Sequence, residues 1–314
     1  MKSTDHIIVG SGALARFAAF KSEEKGYSTL RIGSGRPFDR FLILHENAIR
    51  NFERNFGSPF GHALHGLKVL DSKLRPCRQF DFRKYGSRLH SARYSKLLEY
   101  IAAHDAAEHI EAEVSGMHAD GTLLTADGQK FTARKAIINT AKGFAKPRFR
   151  FRHKKEFHMA FASLDFDREW VWQINDRGSY AAVVPFENEF ALVYSGDPSP
   201  LFRLTGIRDR DIRFQSLQFE TYYSSRYVQG KIFHCGEAIR RMHPHTGQGL
   251  NRGLDTIDSW FEGRNLGKEK VYDFALYLGG ILLDKSWGNN RSLIRASYRL
   301  LDNGPGVKLL SGTL

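Results

Sequence analysis

Cysteine is nearly missing from this 314-residue chain, with only Cys77 and Cys235 present. Two thiols so far apart in sequence offer neither a disulfide framework nor a cysteine zinc site, and each is expected to be a small buried or half-buried residue. Long apolar runs are missing as well: no stretch approaches the roughly 18 uninterrupted apolar residues of a spanning helix. The opening MKSTDHIIVG enters a strand pattern instead of the apolar core of a signal peptide, so a cytoplasmic location is expected. No G-x-S-x-G elbow stands between a strand and a helix and no Walker-type phosphate loop occurs, which removes the hydrolase and NTPase readings. Low-complexity tracts and fixed-period repeats are also lacking. His234, His243 and His245 have no carboxylate or cysteine partners at a recognisable spacing, so no metal site is expected.

Acidic residues are in deficit. Against 47 Lys and Arg stand 34 Asp and Glu, a formal charge of +13 that favours anionic partners: dinucleotide phosphates, acidic lipid headgroups or nucleic acid. Much of the excess lies in KGFAKPRFRFRHKK, from Lys142 to Lys155, where aromatics alternate with cations. Such a segment suits first a charged edge strand guarded against aggregation, and otherwise a peripheral contact with a membrane or a biosynthetic complex. A nucleic-acid partner is the less favoured reading. With 41% hydrophobic residues, the chain has material for a substantial core.

What is present begins with a glycine turn. His6 to Val9 form a short apolar run, followed by Gly10-Ser11-Gly12-Ala13-Leu14-Ala15, a helical stretch ending at Gly26, and a second strand from Tyr27 to Ile32. Strand, turn, helix and strand within about thirty residues is the context that gives G-x-G-x-x-G/A its meaning as a dinucleotide site. Gly10 makes the tight turn, Gly12 admits a pyrophosphate to the backbone, and Ala15 keeps helix and strand close. The phosphates belong on the helix N-terminus, where amides and the helix dipole favour negative charge. The carboxylate expected at the end of the second strand for a ribose hydroxyl is absent, since the chain reads Arg31-Ile32-Gly33-Ser34-Gly35-Arg36.

A second constellation lies in the C-terminal third. A short strand, Lys231 to Cys235, leads to Gly236-Glu237-Ala238, and then come His243-Pro244-His245-Thr246-Gly247-Gln248-Gly249-Leu250-Asn251. This run resembles the FAD-closing motif of the class A flavoprotein aromatic hydroxylases, the family of para-hydroxybenzoate hydroxylase, and within it the ubiquinone-ring hydroxylases most of all. Weaker similarities extend over the segment Arg40 to Phe52, the helix from Arg93 to Ile101, the strand pair Ala182–Phe186 and Glu189–Ser195, and the tail Trp287 to Leu309.

The resemblance implies an α/β fold: a Rossmann-like FAD-binding domain with a parallel sheet, from residues 1–143 and 228–314, and an inserted, mainly antiparallel β-sheet substrate domain from 144–227. It implies that Gly10, Gly12, Ala15, Arg40, Arg93 and Glu237 hold the cofactor and that Gly247, Gln248, Gly249, Leu250 and Asn251 face the pyrimidine edge of the flavin. Pro244, with His243, falls beside the reacting carbon. The implied activity is FAD-dependent hydroxylation of an aromatic or quinone-precursor ring with O2, NAD(P)H being the reductant. Aromatics of the middle region, Phe157, Phe161, Phe166, Trp170, Trp172, Tyr180 and Phe186, either line a pocket for a flat ring or form simple sheet core.

Two departures temper this expectation. Where the family carries an Asp-Gly pair after a mid-chain strand, linked to reduction by nicotinamide, this chain has Ala141-Lys142-Gly143, a reversal of charge. Gly-Asp has also become Gly236-Glu237. A flavin-dependent oxidoreductase or cyclase that does not use bound NAD(P)H, and a fold-retaining scaffold without turnover, therefore stand beside the hydroxylase.

Overall fold

A computed structural model describes residues 2–35, 39–145, 147–152, 156–176, 179–218, 220–242 and 247–287. The chain opens with β1 (Lys2–Val9), α1 (Ala13–Glu24) and β2 (Thr29–Ile32), followed by β3 (Phe41–His45), α2 (Glu46–Phe56), β4 (His62–Leu64), β5 (Gly66–Leu70), β6 (Pro76–Asp81), β7 (Leu89–Arg93) and α3 (Tyr94–Ala102). Next come β8 (Glu108–Ile110), β9 (Val114–Met117), β10 (Thr122–Thr125) and β11 (Lys130–Asn139). The middle is mostly strand: β12 (Phe149–Arg152), β13 (Phe157–Ala162), β14 (Trp170–Asp176), β15 (Ser179–Phe186), β16 (Glu189–Ser195), the short α4 (Ser199–Thr205), β17 (Gln215–Leu217) and β18 (Glu220–Tyr223). Then follow β19 (Val228–Gln229), β20 (Ile232–His234), β21 (Arg240–Arg241), α5 (Gln248–Phe261) and α6 (Gly267–Trp287).

The fold is α/β, as expected. β1 runs parallel to both β2 and β11, and the path β19-β20-β11-β1-β2-β8 makes β1 an interior strand. His6 to Val9 are all buried, which a strand covered on both faces requires. On one face Ile8, Ile138 and Phe233 pack against α1, α3 and α5 through Phe17, Leu97, Leu254 and Ile257. On the other, Ile7, Val9, Ile32 and Ile137 meet Leu123 and Phe131 of the β10–β11 hairpin. Helix α1 is buried on two sides, and its alanines at 13, 15, 18 and 19 let it lie close to both neighbours.

A second, seven-stranded sheet, β17-β13-β16-β15-β14-β5-β6, is antiparallel except where β5 runs parallel to β14. It draws two strands from residues 66–81, outside the 144–227 segment expected to build it. β5 pairs with β14 from Gly66 opposite Trp170 to Leu70 opposite Ile174, covering what is otherwise an open edge. A small sheet, β12-β18-β21, carries β12 at its edge, so the described part of the basic segment contains a charged edge strand. Cys235 is buried, but Cys77 is exposed on β6, contrary to the expectation for both thiols.

α5 and α6 are locked together by a buried ionic cluster. Asp273 accepts from Arg240 at 2.5 Å, from Arg252 Nε at 3.0 Å and from the Tyr227 hydroxyl, while Arg252 also reaches Asp255 at 3.0 Å. Paired, hydrogen-bonded charges of this kind add little net stability but fix one relative placement of the elements they join.

Candidate functional site

The glycine turn sits where β1 ends and α1 begins. Gly10 has φ +134°, and a Cβ there would collide with the Thr140 hydroxyl, which itself donates to the Val9 carbonyl at 2.8 Å. Ala15 lies against the same point, 3.4 Å from that Cβ position. Gly12 is the N-cap of α1 in extended conformation, without a side-chain cap. The Ala13 N–H donates to the Tyr94 hydroxyl at 2.9 Å, and a Cβ on Gly12 would stand 2.8 Å from that oxygen. Burial raises the Tyr94 phenol, so at neutral pH it stays protonated and keeps a proton to donate.

The missing ribose carboxylate has a steric cause. Gly33 follows β2 directly, and a Cβ there would lie 2.6 Å from the Gly10 carbonyl carbon. The two turns touch backbone to backbone, leaving no room for any side chain at that position. Arg31 is buried instead, paired with Asp105 at 3.2 Å.

Glu237 lies in a turn of 3-10 helix, Gly236–Ala238, just after β20. Its carboxylate is 3.7 Å from Arg40, with 42% of the Arg40 side chain and 44% of that of Glu237 exposed. Arg40 in turn stacks over the Tyr94 ring at 4.8 Å. A Cβ at Gly236 or at Gly253 would run into the Leu14 side chain, so the first turn of α1 fits directly between the Gly236 turn and α5. Two motifs more than 220 residues apart in sequence thereby share one wall. The sequence marked Leu14 only as a spacer and Gly33 only as a missing carboxylate, and Tyr94 and Thr140 carried no signal of their own.

Gly247, with φ +60°, caps the N-terminus of α5. Gly249 is exposed, and a Cβ there would meet nothing within 4 Å, so the first turn of α5 faces open space. Gln248 is buried, Leu250 packs against the main core, and Asn251 works as a clamp. The Asn251 amide accepts the His45 N–H at 2.9 Å and donates to the carbonyls of Ile43 at 2.9 Å and Gly247 at 2.6 Å. His243 and Pro244 lie outside the described residues.

Arg93 ends β7 and is held by Asp39 at 2.7 Å and by Glu189 of β16 at 2.8 Å, stacked on the Phe161 ring at 4.4 Å. It ties the small sheet β3-β7-β4 to the seven-stranded sheet. Beside it Phe41 meets the apolar face formed by Phe157, Met159, Phe161, Tyr180 and Val193. Of the other middle-region aromatics, Phe186 lies on the same side of that sheet in an adjoining cluster, whereas Phe166 and Trp172 pack on the opposite side, against Ile174 and Leu201. Trp170 stacks edge-on with His65.

Lys142, in the loop after β11, pairs with Glu220 of β18 at 3.0 Å, and the hydrogen bond from its ammonium holds the Glu220 carboxyl below its usual range. At the root of this loop Asn139 donates to His234 Nδ1 at 3.0 Å. Burial depresses the His234 ring to about 4, so it is neutral there.

The residues present fit an FAD. Gly10 and Gly12 keep side chains off the turn that opens α1, Arg40 and Glu237 offer polar groups at half exposure, and Gly249 in the first turn of α5 is exposed. Among the described residues, no group of three or more His, Cys, Asp and Glu is placed to hold a metal ion.

No family model matches the chain, and no curated protein matches its sequence. Solved structures do match. PqsL of Pseudomonas aeruginosa, a probable FAD-dependent monooxygenase, superposes with a TM-score of 0.74 at 17% identity, over 91% of this chain and 97% of that one. The p-nitrophenol 4-monooxygenase PnpA of Pseudomonas putida gives 0.77 at 12% identity over 99% and 97%. HpxO of Klebsiella pneumoniae, solved with FAD and uric acid, gives 0.75 at 14% over 99% and 95%. The chain thus has the fold of these FAD-dependent monooxygenases.

Proposed function

We propose that the protein is an FAD-dependent monooxygenase that hydroxylates a small aromatic or quinone-precursor ring with O2, NAD(P)H serving as reductant. The observation that carries this reading is the junction at Leu14, which packs the first turn of α1, next to the glycine turn, against Gly236 of the Gly236-Glu237 turn and Gly253 of α5. Gly10, Gly12 and Ala15 would receive the pyrophosphate on the α1 amides, with Arg40 neutralising its charge and Glu237 accepting hydroxyl donors of the ribityl chain. Gly247 to Asn251 would aim the α5 dipole at the pyrimidine edge, where reduced flavin gathers negative charge. Bound flavin supplies the oxygen-activating redox chemistry, while the chain supplies position, dryness and charge.

The substrate ring would lie against the apolar face of Phe157, Met159, Phe161 and Tyr180, with Arg93 closing the polar end. His243 and Pro244 keep the reacting-edge role that the sequence resemblance implies. PqsL has been solved with 2-aminobenzoylacetate and HpxO with uric acid, both small ring-bearing molecules. The discontinuous arrangement of 1–143 with 228–314 around 144–227 belongs to the same reading, with β5 and β6 added to the substrate sheet. The visible spectrum of the purified protein tests it first, followed by NADPH and NADH consumption in air with and without simple phenols. A protein that takes up no FAD even when the cofactor is added would end it.

A second reading keeps FAD but replaces nicotinamide with another reductant, in an oxidoreductase or cyclase. The Lys142–Glu220 pair favours it, because a paired cation occupies the place where the resembling family has an aspartate. Flavin absorbance without nicotinamide oxidation would select this reading over the first.

A further inference from the structure

The outer face of α6 is apolar. Along it the exposed positions are Lys268, Val271, Ala275 and Leu278, while Asp273, Tyr277 and Gly280 turn inward. Val271 is 72% exposed and Leu278 43%, and Phe149 of the β12 edge strand, 40% exposed, stacks on Phe274 of the same helix at 5.6 Å. These are three of the four large hydrophobic residues that stand exposed among the described residues. A surface helix ordinarily puts polar residues on its solvent side, and an apolar patch rimmed by polar groups marks a contact.

The rim decides the partner. Arg148 and Arg150 flank Phe149 and are exposed, Arg148 lying over its ring at 5.4 Å. Lys268 is exposed at the start of α6, whereas Lys270 turns toward the buried Tyr227, its ammonium 5.6 Å from that ring. The neighbouring carboxylates are spent: Glu220 on Lys142, with Arg150 at 3.8 Å, Glu269 on Arg252, and Asp273 on Arg240 and Arg252. Apolar side chains bordered by exposed cations, Arg150 sharing the single Glu220 carboxylate with Lys142, on a chain of net charge +13, match a surface that is apolar below and anionic above. We propose that this face, α6 with β12, docks the protein on an anionic lipid bilayer, Val271, Leu278 and Phe149 entering the acyl boundary while Arg148, Arg150 and Lys268 meet the headgroups. The proposal is independent of the flavin reading, since none of these residues lies at the glycine turn or at the start of α5.

Vesicle flotation of the full chain tests it, using phosphatidylcholine vesicles with and without about one third phosphatidylglycerol, a content at which each basic side chain gains appreciably at the surface. The wild type should float with the anionic vesicles only, and bind several-fold less as salt rises from about 0.1 to 0.5 M. Val271→Ser with Leu278→Ser should cut binding about tenfold, as should Arg148→Gln with Arg150→Gln, each through a different part of the contact. All four sites are exposed, and circular dichroism confirms that the variants remain folded. No binding to either vesicle, equal binding to both, or full binding by the serine variant overturns the proposal. So does a wild-type dimer in sedimentation that the serine variant abolishes, for then the face is filled by a second copy.

Discussion

The Asn251 carboxamide accepts the backbone N–H of His45 at 2.9 Å while its nitrogen serves the carbonyls of Ile43 and Gly247. A residue expected to face the flavin is therefore also the pin that fastens β3 to the cap of α5. Asn251→Ala would leave a buried N–H and two carbonyls without that partner, at a cost of about 2–4 kcal/mol. Asn251→Asp retains the acceptor and loses the donor, and should fall between. Chemical denaturation midpoints measure both; an alanine variant as stable as the wild type would mean the clamp contributes nothing.

Gly12 and Tyr94 form a second pair whose coupling can be measured. A methyl at position 12 meets the Tyr94 hydroxyl at 2.8 Å, so Gly12→Ala must displace the group that accepts the Ala13 N–H. Tyr94→Phe alone should cost about 1 kcal/mol through the lost cap. In the double variant the clash is relieved, and the two costs should combine with a coupling of about 0.5–2 kcal/mol. A bulky side chain, Gly12→Leu, should abolish FAD uptake by filling the pyrophosphate's place. Strict additivity of the alanine and phenylalanine changes would remove the contact from the account, and unchanged flavin content in Gly12→Leu would remove the site itself.

The glycine turn and the start of α5 were legible because their signals are local: a strand, a turn needing positive φ, and a helix start follow one another in a few residues. Tyr94 was not, since its partner Ala13 lies 81 residues away and a tyrosine opening a helix reads as ordinary core. The place of β5 in the second sheet was equally hidden. GLKVL is too short to announce a register, and its partner β14 begins about a hundred residues later. The lysine at 142 stood out as a reversed charge, but its compensation by Glu220 depends on β18 folding beside the loop after β11. Gly33 looked like a lost carboxylate and proves to be a steric requirement of the Gly10 turn.

Acid should weaken the fold through two buried imidazoles. Burial depresses His6 and His234 each to about 4, below their unfolded value, so the stability they contribute is complete above about 6.5 and is lost as pH falls through 4. Asp255 acts in the opposite sense. Burial pushes it up to about 6, only partly offset by Arg252, so its contribution is greatest at low pH and is lost as pH rises through 6. Burial also lowers His90 and raises Glu23 and Asp105, so these groups oppose one another over the same window. The large shifts of His6 and His234 against the one of Asp255 predict a net loss of stability between pH 6.5 and 4. Urea midpoints across that range measure it, and His234→Gln, which retains an acceptor for the Asn139 amide, should flatten the slope. A rising midpoint toward pH 4 would show that Asp255 dominates.

Lys142 offers the cleanest test of how the flavin would be reduced. Its side chain is 49% exposed, so Lys142→Ala should change stability by less than about 1 kcal/mol. Lys142→Asp alone would set a carboxylate against Glu220, which confuses repulsion with chemistry. The exchanged pair, Lys142→Asp with Glu220→Lys, keeps an ion pair in place while putting an acid where the resembling family has one. If the lysine is what blocks nicotinamide, the flavin-loaded exchange variant should oxidise NADPH at least about tenfold faster than the wild type, a gain in transition-state stabilisation of about 1.4 kcal/mol. Its melting temperature should fall only slightly, since the pair is reversed and the exposed Arg150, 3.8 Å from Glu220, loses its carboxylate. Rapid NADPH oxidation by the wild type itself, unchanged by the exchange, would mean that the charge at position 142 has no part in reduction and that the alternative reductant is not needed.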